Sequence, residues 1–316
     1  MKMKKTLAVF MAGMICLSQS LAGNTAKAAE TKGDAIYYTN KDGVQMTKDE
    51  YDKLTDLFGE DEVAWMSSES AKRAYKECTQ LLSRTSLNQM VFETIAADGS
   101  VKSVTHTISE KQAEKILAAE AEKSQEQIMP CTTVGDAIHN TAMKRITMKI
   151  HNTGELNYLR FSVKNEWKTL PVVRSYDIIA LRPGATSAPV KISEKDFEAY
   201  QVYDGTKVTY SVSGNHVQRV DLATNGKGGI GVSMNLSNTA TSSITNFMDA
   251  YLYCTDPLYS VFGTYQHATE AVTLEQSKKY SFGALGMGSV LAFDNDTIKS
   301  KYDNTEGLHV TWDEND

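Results

Sequence analysis

Arg145-Ile146-Thr147-Met148-Lys149-Ile150-His151 alternates apolar and polar residues one by one, and after a turn at Asn152-Thr153-Gly154 the run Leu159-Arg160-Phe161-Ser162-Val163-Lys164 does the same. A period of two puts successive side chains on opposite faces of an extended chain, so each run reads as a β-strand. The pattern recurs at Val208/Tyr210/Val212, at Val217–Leu222, at Ile230/Val232/Met234/Leu236 and at Leu308/Val310/Trp312. Half-buried antiparallel strands give this signature, with one apolar face inward and one polar face toward water. Residues 142–316 are therefore expected to form an antiparallel β-sandwich or jelly-roll-like domain.

Upstream of Ala142 the period is closer to 3.6. Thr47 followed by Glu50 has the spacing of a capping box, and Tyr51, Leu54 and Phe58 then recur until Gly59, predicting a helix over Lys48 to Phe58. A short turn follows at Asp61 to Met66. Ser67 or Ser68 caps a third helix, whose Ala71, Ala74, Tyr75, Cys78, Leu81 and Leu82 share a face. Met90 to Ile95 and Val101 to Ile108 read as strands joined across Asp98-Gly99, a type I′ hairpin signal. Ser109 and Gln112 open a further helix with Ala113, Ile116, Leu117 and Ala121 on one face, which fades into a linker ending near Pro130. Residues 29–130 thus form a mainly helical region with one hairpin, and the fold class is α+β.

The first residues hold Lys2, Lys4 and Lys5 and run into an uncharged stretch from Thr6 to Ala26, then Ala26-Lys27-Ala28. That is the layout of a signal peptide covering residues 1–28. Cys16 follows Ile15 where a lipoprotein needs a small residue. The apolar run is too diluted by Gly13, Ser18, Gln19 and Ser20 for a membrane span. A secreted chain, soluble or loosely associated with the cell surface, is expected.

The formal net charge of −6 falls to −10 once residues 1–28 take Lys2, Lys4, Lys5 and Lys27 with them. An acidic chain without a basic run is poorly suited to nucleic acid or an anionic membrane. Cys78, Cys131 and Cys254 remain after processing. An oxidising compartment permits one disulfide among them, and three buried reduced cysteines are an equal alternative.

The segment Tyr37-Tyr38-Thr39-Asn40-Lys41-Asp42-Gly43-Val44-Gln45-Met46-Thr47, with Tyr51, Leu54 and the continuation from Phe58 to Met66, resembles a module of secreted proteins of Gram-positive bacteria. Gly263-Thr264-Tyr265-Gln266-His267-Ala268, with Tyr280-Ser281-Phe282 and Gly286-Met287-Gly288, is similar to the β-rich tail of such proteins. The resemblance implies secretion and architecture. It carries no activity and no catalytic residue.

Motifs that would announce chemistry are missing or misplaced. Gly226, Gly228 and Gly231 spell G-x-G-x-x-G but lie between two alternating strands, where a hairpin loop is expected rather than a dinucleotide site. The six histidines, at 106, 139, 151, 216, 267 and 309, offer no i, i+4 pair, and His151 and His309 occupy polar strand positions expected to face water. No cofactor is implied. Asp294, Asp296 and Asp303 supply oxygens of the kind calcium takes, without the glycine and glutamate of an EF-hand loop, so a solvated turn is the plainer reading.

Tyrosines crowd the C-terminal strands as Tyr251, Tyr253, Tyr259, Tyr265 and Tyr280. Such rings serve recognition and core packing alike. The leading expectation is a non-catalytic extracellular protein that binds a cell-surface polymer or a protein partner. The first competitor is a secreted hydrolase, glycosidase-like, whose two carboxylates would stand roughly 5–10 Å apart in a cleft. A membrane-active protein using Ser237–Thr245 as a long amphipathic strand is the third.

Overall fold

The capping box at Thr47 is formed: Glu50 N–H donates to the Thr47 hydroxyl at 3.3 Å, and Thr47 N–H donates to the Glu50 carboxylate at 2.8 Å. It opens helix α1 (Lys48–Phe58), which follows a small hairpin of β1 (Tyr38–Thr39) and β2 (Gln45–Met46). Helices α2 (Glu60–Val63) and α3 (Ser68–Glu77) come next, with Ser67 capping α3. Their apolar faces converge, so that Leu54, Leu57, Phe58, Val63, Met66, Ala71, Ala74 and Cys78 are buried in one cluster. Cys78 carries no disulfide.

The computed structural model describes residues 35–124, 132–134, 137–155, 158–184, 196–220, 228–253, 260–283 and 290–311. Of two compact units, Met1–Ala35 and Ile36–Asp316, the second carries every element discussed here. The signal-peptide reading, Cys131, Cys254, Tyr259, Gly226 and the linker near Pro130 lie outside the described residues.

From Gln80 onward strands dominate: β3 (Gln80–Ile95), β4 (Val101–Ile108), then helix α4 (Glu110–Ser124), β5 (Thr132–Val134), β6 (Ala137–Asn152), β7 (Tyr158–Thr169), β8 (Tyr176–Pro183), β9 (Phe197–Tyr203) and β10 (Thr206–Tyr210). The chain continues through β11 (Val217–Val220), β12 (Gly229–Asn235), β13 (Ile244–Tyr253), β14 (Ser260–Gln266), α5 (Leu274–Ser277), β15 (Tyr280–Phe282), β16 (Leu291–Phe293), α6 (Asp296–Lys299) and β17 (Leu308–Thr311). One sheet runs β10-β9-β13-β7-β6-β3-β4 with β5 beside β6, and another runs β11-β12-β8-β14-β17. The pairings are antiparallel, so the fold is β-rich with a few helices.

The two sheets share a core. Ile146, Met148, Ile150, Phe161, Val163 and Met248 of the first meet Ile179, Leu181, Val232, Val261 and Tyr265 of the second. Gly263 marks how closely they approach: a Cβ there would stand 2.7 Å from Met148 Sδ and 2.9 Å from Val163 Cγ2.

Several expectations need correction. The third helix stops at Glu77, because Leu81 and Leu82 belong to β3, which pairs along β6. Both strands of the β3–β4 hairpin thereby join the main sheet. Its turn is not type I′: Gly99 has φ +82°, but Asp98 does not have positive φ, and Gly99 N–H donates to Ala96 C=O at 2.9 Å. Residues 237–243 form a loop whose Ser237 and Ala240 carbonyls accept from Arg174, so the proposed long amphipathic strand is absent. β11 and β12 do flank the glycine-rich stretch as an antiparallel pair.

The largest correction concerns the polar faces. Lys149 and His151 of β6 and Arg160 and Ser162 of β7 are buried, not solvated. Ser233 of β12 is buried as well, beneath α5 and β15. Each sheet is covered over part of its outer side, the first by α1 to α3 and the second by α5 and β15.

Candidate functional site

Register brings the buried polar residues of the first sheet into rows. Lys149 lies opposite Ser162, Ser162 opposite Asp249, and Asp249 opposite Glu198, across β6, β7, β13 and β9. Two residues along, His151, Arg160 and Tyr251 form the next row. Directly opposed residues share a face, with Cβ atoms about 4.5–5.5 Å apart. The sheet therefore presents a charged surface to helices α1 to α3.

That surface completes the helices. The last carbonyls of α1 have no partners within the helix; Lys149 Nζ donates to Phe58 C=O, and His151 Nε2 donates to Leu57 C=O at 3.0 Å. Lys149 also pairs with Glu62 of α2 at 2.9 Å. Arg160 is fully buried, donates to Asp249, approaches Glu62 at 3.6 Å and lays its guanidinium over the Phe58 ring at 4.2 Å. Burial and the cationic neighbours Arg160 and Lys149 hold the His151 imidazole down at about 3, so it is neutral near pH 7. Burial, and then Glu198 and Glu62 nearby, push the Asp249 carboxyl up to about 7 against the pull of Arg160.

Where α3 leaves the sheet uncovered, a cleft of about 200 Å³ opens toward β9, β10 and β13. Asp42, Glu69, Glu198 and Asp249 line it with Arg73 and Lys207, and Tyr251 is its aromatic side; Phe197 and Tyr210 border it from the strands while their rings pack toward the core between the sheets. Lys207 Nζ donates to Trp65 C=O at 2.6 Å and pairs with Asp42 at 3.1 Å and Glu198 at 3.3 Å. Arg73 pairs with Glu77 at 2.8 Å and Asp196 at 2.7 Å, and lies over the Tyr251 ring at 3.9 Å. Glu198 accepts from Ser67 N–H at 3.2 Å through the oxygen that meets Lys207. Its other oxygen is buried with no hydrogen-bond partner among the described residues.

Glu198 and Asp249 are two carboxylates on adjacent strands in one cleft, the arrangement that sequence spacing does not reveal. Neither lies in a motif. The missed signal is register: β9 and β13 each hold one acid in an otherwise apolar or aromatic run, Phe197-Glu198-Ala199-Tyr200 and Phe247-Met248-Asp249-Ala250-Tyr251.

Of the tyrosines singled out, Tyr251 borders the cleft, its hydroxyl 3.8 Å from Cys78 Sγ. Tyr265 is buried between the main sheets, and Tyr280 is buried with Phe282 in a separate cluster under β8. Tyr253 belongs to β13. The structure does not bring Tyr251, Tyr265 and Tyr280 to one surface. Asp294 and Asp296 are exposed around the start of α6, whereas the Asp303 carboxylate is buried and accepts from Lys144 Nζ at 2.5 Å, His267 N–H at 3.0 Å and Thr105 Oγ1 at 3.3 Å. Among the described residues no three acidic, histidine or cysteine side chains are grouped to hold a metal.

A second polar cluster lies inside the core. The Asp177 carboxylate accepts from Tyr265 Oη at 2.5 Å, Ala268 N–H at 2.8 Å and His267 Nδ1 at 3.1 Å. Asp177 and His267 are fully buried, which closes the pair to substrate. His309 is exposed as expected, stacked on Phe262 with ring centroids 4.1 Å apart.

No protein-family model matches the chain, and no curated protein does. Among solved structures, the collagen binding domain of Erysipelothrix rhusiopathiae surface protein RspB is similar over 57% of this chain and 68% of that one, at 10% identity and a TM-score of 0.25. A likeness this slight carries no argument about either fold or ligand.

Proposed function

We propose that this chain is a non-catalytic binding protein acting outside the cytoplasm, and that the cleft between α3 and strands β9, β10 and β13 is its recognition site. The observation that carries the reading is that the cleft's charged side chains are fixed before any ligand arrives. Lys207 is held by a carbonyl and two carboxylates, Arg73 by two carboxylates, and Asp249 by a buried arginine. Polar groups held in place lose little freedom on binding, which favours recognition. Export rests on the lysine-rich start, the uncharged run and Ala26-Lys27-Ala28.

The hydrolase reading has one observation in its favour: Asp249 and Glu198 face each other across a strand pair, and a carboxyl near 7 suits a general acid. Against it, Asp249, the carboxyl that would serve as the acid, is 2% exposed and tied to Arg160. An acid must reach the bond it protonates.

The test is retention of purified wall polymers and secreted proteins on the immobilised full chain, compared with Thr209→Trp, which fills the cleft from an exposed position of β10. Retention by the parent and loss in the variant support the reading. Retention of nothing, with turnover of a glycan or peptide substrate that disappears in Asp249→Asn, overturns it in favour of a hydrolase.

A further inference from the structure

Resting on the binding reading, we infer that the cleft accepts a single cationic side chain, the ammonium of a lysine or the guanidinium of an arginine carried by a partner protein.

Charge selects the ligand's sign. The cleft and the groups that pair with its lining hold six carboxylates, Asp42, Glu69, Glu77, Asp196, Glu198 and Asp249, against three cations, and each cation is already paired: Arg73 with Glu77 and Asp196, Lys207 with Asp42 and Glu198, Arg160 with Asp249. An anion would have to displace a carboxylate from one of them. A cation meets acids still in surplus, with the whole chain at −6 adding to its attraction.

Glu198 gives an independent reason. Its side chain is more than nine-tenths buried, it lines the cleft, and one of its carboxylate oxygens has no donor among the described residues. Burying a charged acceptor without a donor is costly, and an N–H brought by a ligand relieves that cost with a charge-assisted bond.

Size and wall chemistry narrow the class. About 200 Å³ falls below the roughly 300 Å³ at which pockets for drug-sized molecules begin. It is room for one side chain. Tyr251 gives the cleft an aromatic side, and long cationic side chains lay their methylene stem on apolar surface while keeping the charged end on polar groups. The chain already pairs a cation with this wall, since Arg73 stacks on Tyr251 at 3.9 Å. A neutral glycan would use the hydroxyls and rings but would leave the acid surplus unanswered.

The experiment titrates the full chain by NMR with three probes: Nα-acetyl-lysine methylamide, the same compound acetylated on Nε, and Nα-acetyl-glutamate methylamide. Only the charged lysine probe should shift cleft resonances, including those of Tyr251 and Thr209. Glu198→Gln keeps an oxygen for Ser67 and Lys207 but removes the charge, and should weaken the lysine probe about tenfold or more. Lys207→Gln removes the resident competing cation and should strengthen it. Thermal melts establish that each variant is folded; a merely structural Glu198 would leave the affinity of folded Glu198→Gln unchanged, which overturns the inference. Equal shifts with the Nε-acetylated probe, or none with the charged one while wall polymers or secreted proteins are still retained through the cleft, overturn the cationic ligand and leave the binding reading standing. Loss of that retention overturns both.

Discussion

The Tyr265 hydroxyl donates to the Asp177 carboxylate at 2.5 Å while accepting from Trp167 Nε1 at 3.0 Å and Asn246 Nδ2 at 2.9 Å. Tyr265 and Asp177 belong to the second sheet, Trp167 and Asn246 to the first, so one oxygen joins the two layers in the middle of an apolar core. Tyr265→Phe removes that oxygen and strands three polar groups together. A loss of about 2–4 kcal/mol is expected in urea unfolding. Tyr302→Phe, which removes one bond to Tyr176 C=O at 3.1 Å, is the milder comparison. Equal costs would mean that the hydroxyl does not join the sheets.

Arg160 and Asp249 test the covered outer face. Removing Asp249 leaves a guanidinium with no access to water and, among the described residues, only the Glu62 carboxylate at 3.6 Å to pair with it. Asp249→Ala should cost about 3–5 kcal/mol, whereas Arg160→Met combined with Asp249→Leu should cost distinctly less, because no buried charge is left alone. Urea melts of the single and double variants decide it; a double variant as unstable as the sum of its parts would show that the pair acts independently.

The strand period was legible because each β6 or β7 residue faces one of two layers, and the capping box at Thr47 and Glu50 was legible because it is local. What the sequence did not disclose was what lies on the polar side. Lys149 and His151 read as solvent-facing by type, yet the partners that bury them, Phe58, Leu57 and Glu62, lie about 90 positions earlier in the chain. The Asp249–Glu198 pair is hidden for the same reason. It arises from pairing β13 with β9, and neither strand shows clean alternation because both faces are buried. Composition left Tyr265 and Tyr280 open to recognition or to core packing, and β14 and β15 are covered on the faces that carry them, so both pack in the interior.

Val232 and Ser233 carry that lesson into a measurement. Simple alternation predicts that Val232→Asp unfolds the chain and that Ser233→Asp is harmless. In the structure both residues are fully buried, Val232 against the first sheet and Ser233 with its hydroxyl 3.4 Å from Ser277 C=O. Each aspartate would be a buried carboxylate without a cation, so each should destabilise by several kcal/mol. Thermal melts that leave Ser233→Asp native-like would show that α5 does not seal that face.

His151 gives the fold a dependence on acid. Its imidazole is held at about 3, chiefly by burial and then by Arg160 and Lys149, while Leu57 C=O pulls the other way. A base depressed from about 6.5 in the unfolded chain binds fewer protons when folded. Its contribution is therefore full above about 6.5 and is lost as the pH falls toward 3. Asp249 acts oppositely. Its carboxyl, raised to about 7, contributes most below its ordinary range near 3.8, and that contribution is lost as pH rises through 7. Comparing the wild type with His151→Gln at each pH cancels the Asp249 part, because glutamine keeps a donor for Leu57 C=O and does not titrate. The stability of the wild type relative to the variant should decline as pH is lowered from about 6 to about 4, with a slope approaching about 1.4 kcal/mol per pH unit. Urea unfolding at four pH values across that range measures it. A difference that stays constant with pH would mean that His151 can take up its proton without leaving its place beneath α1.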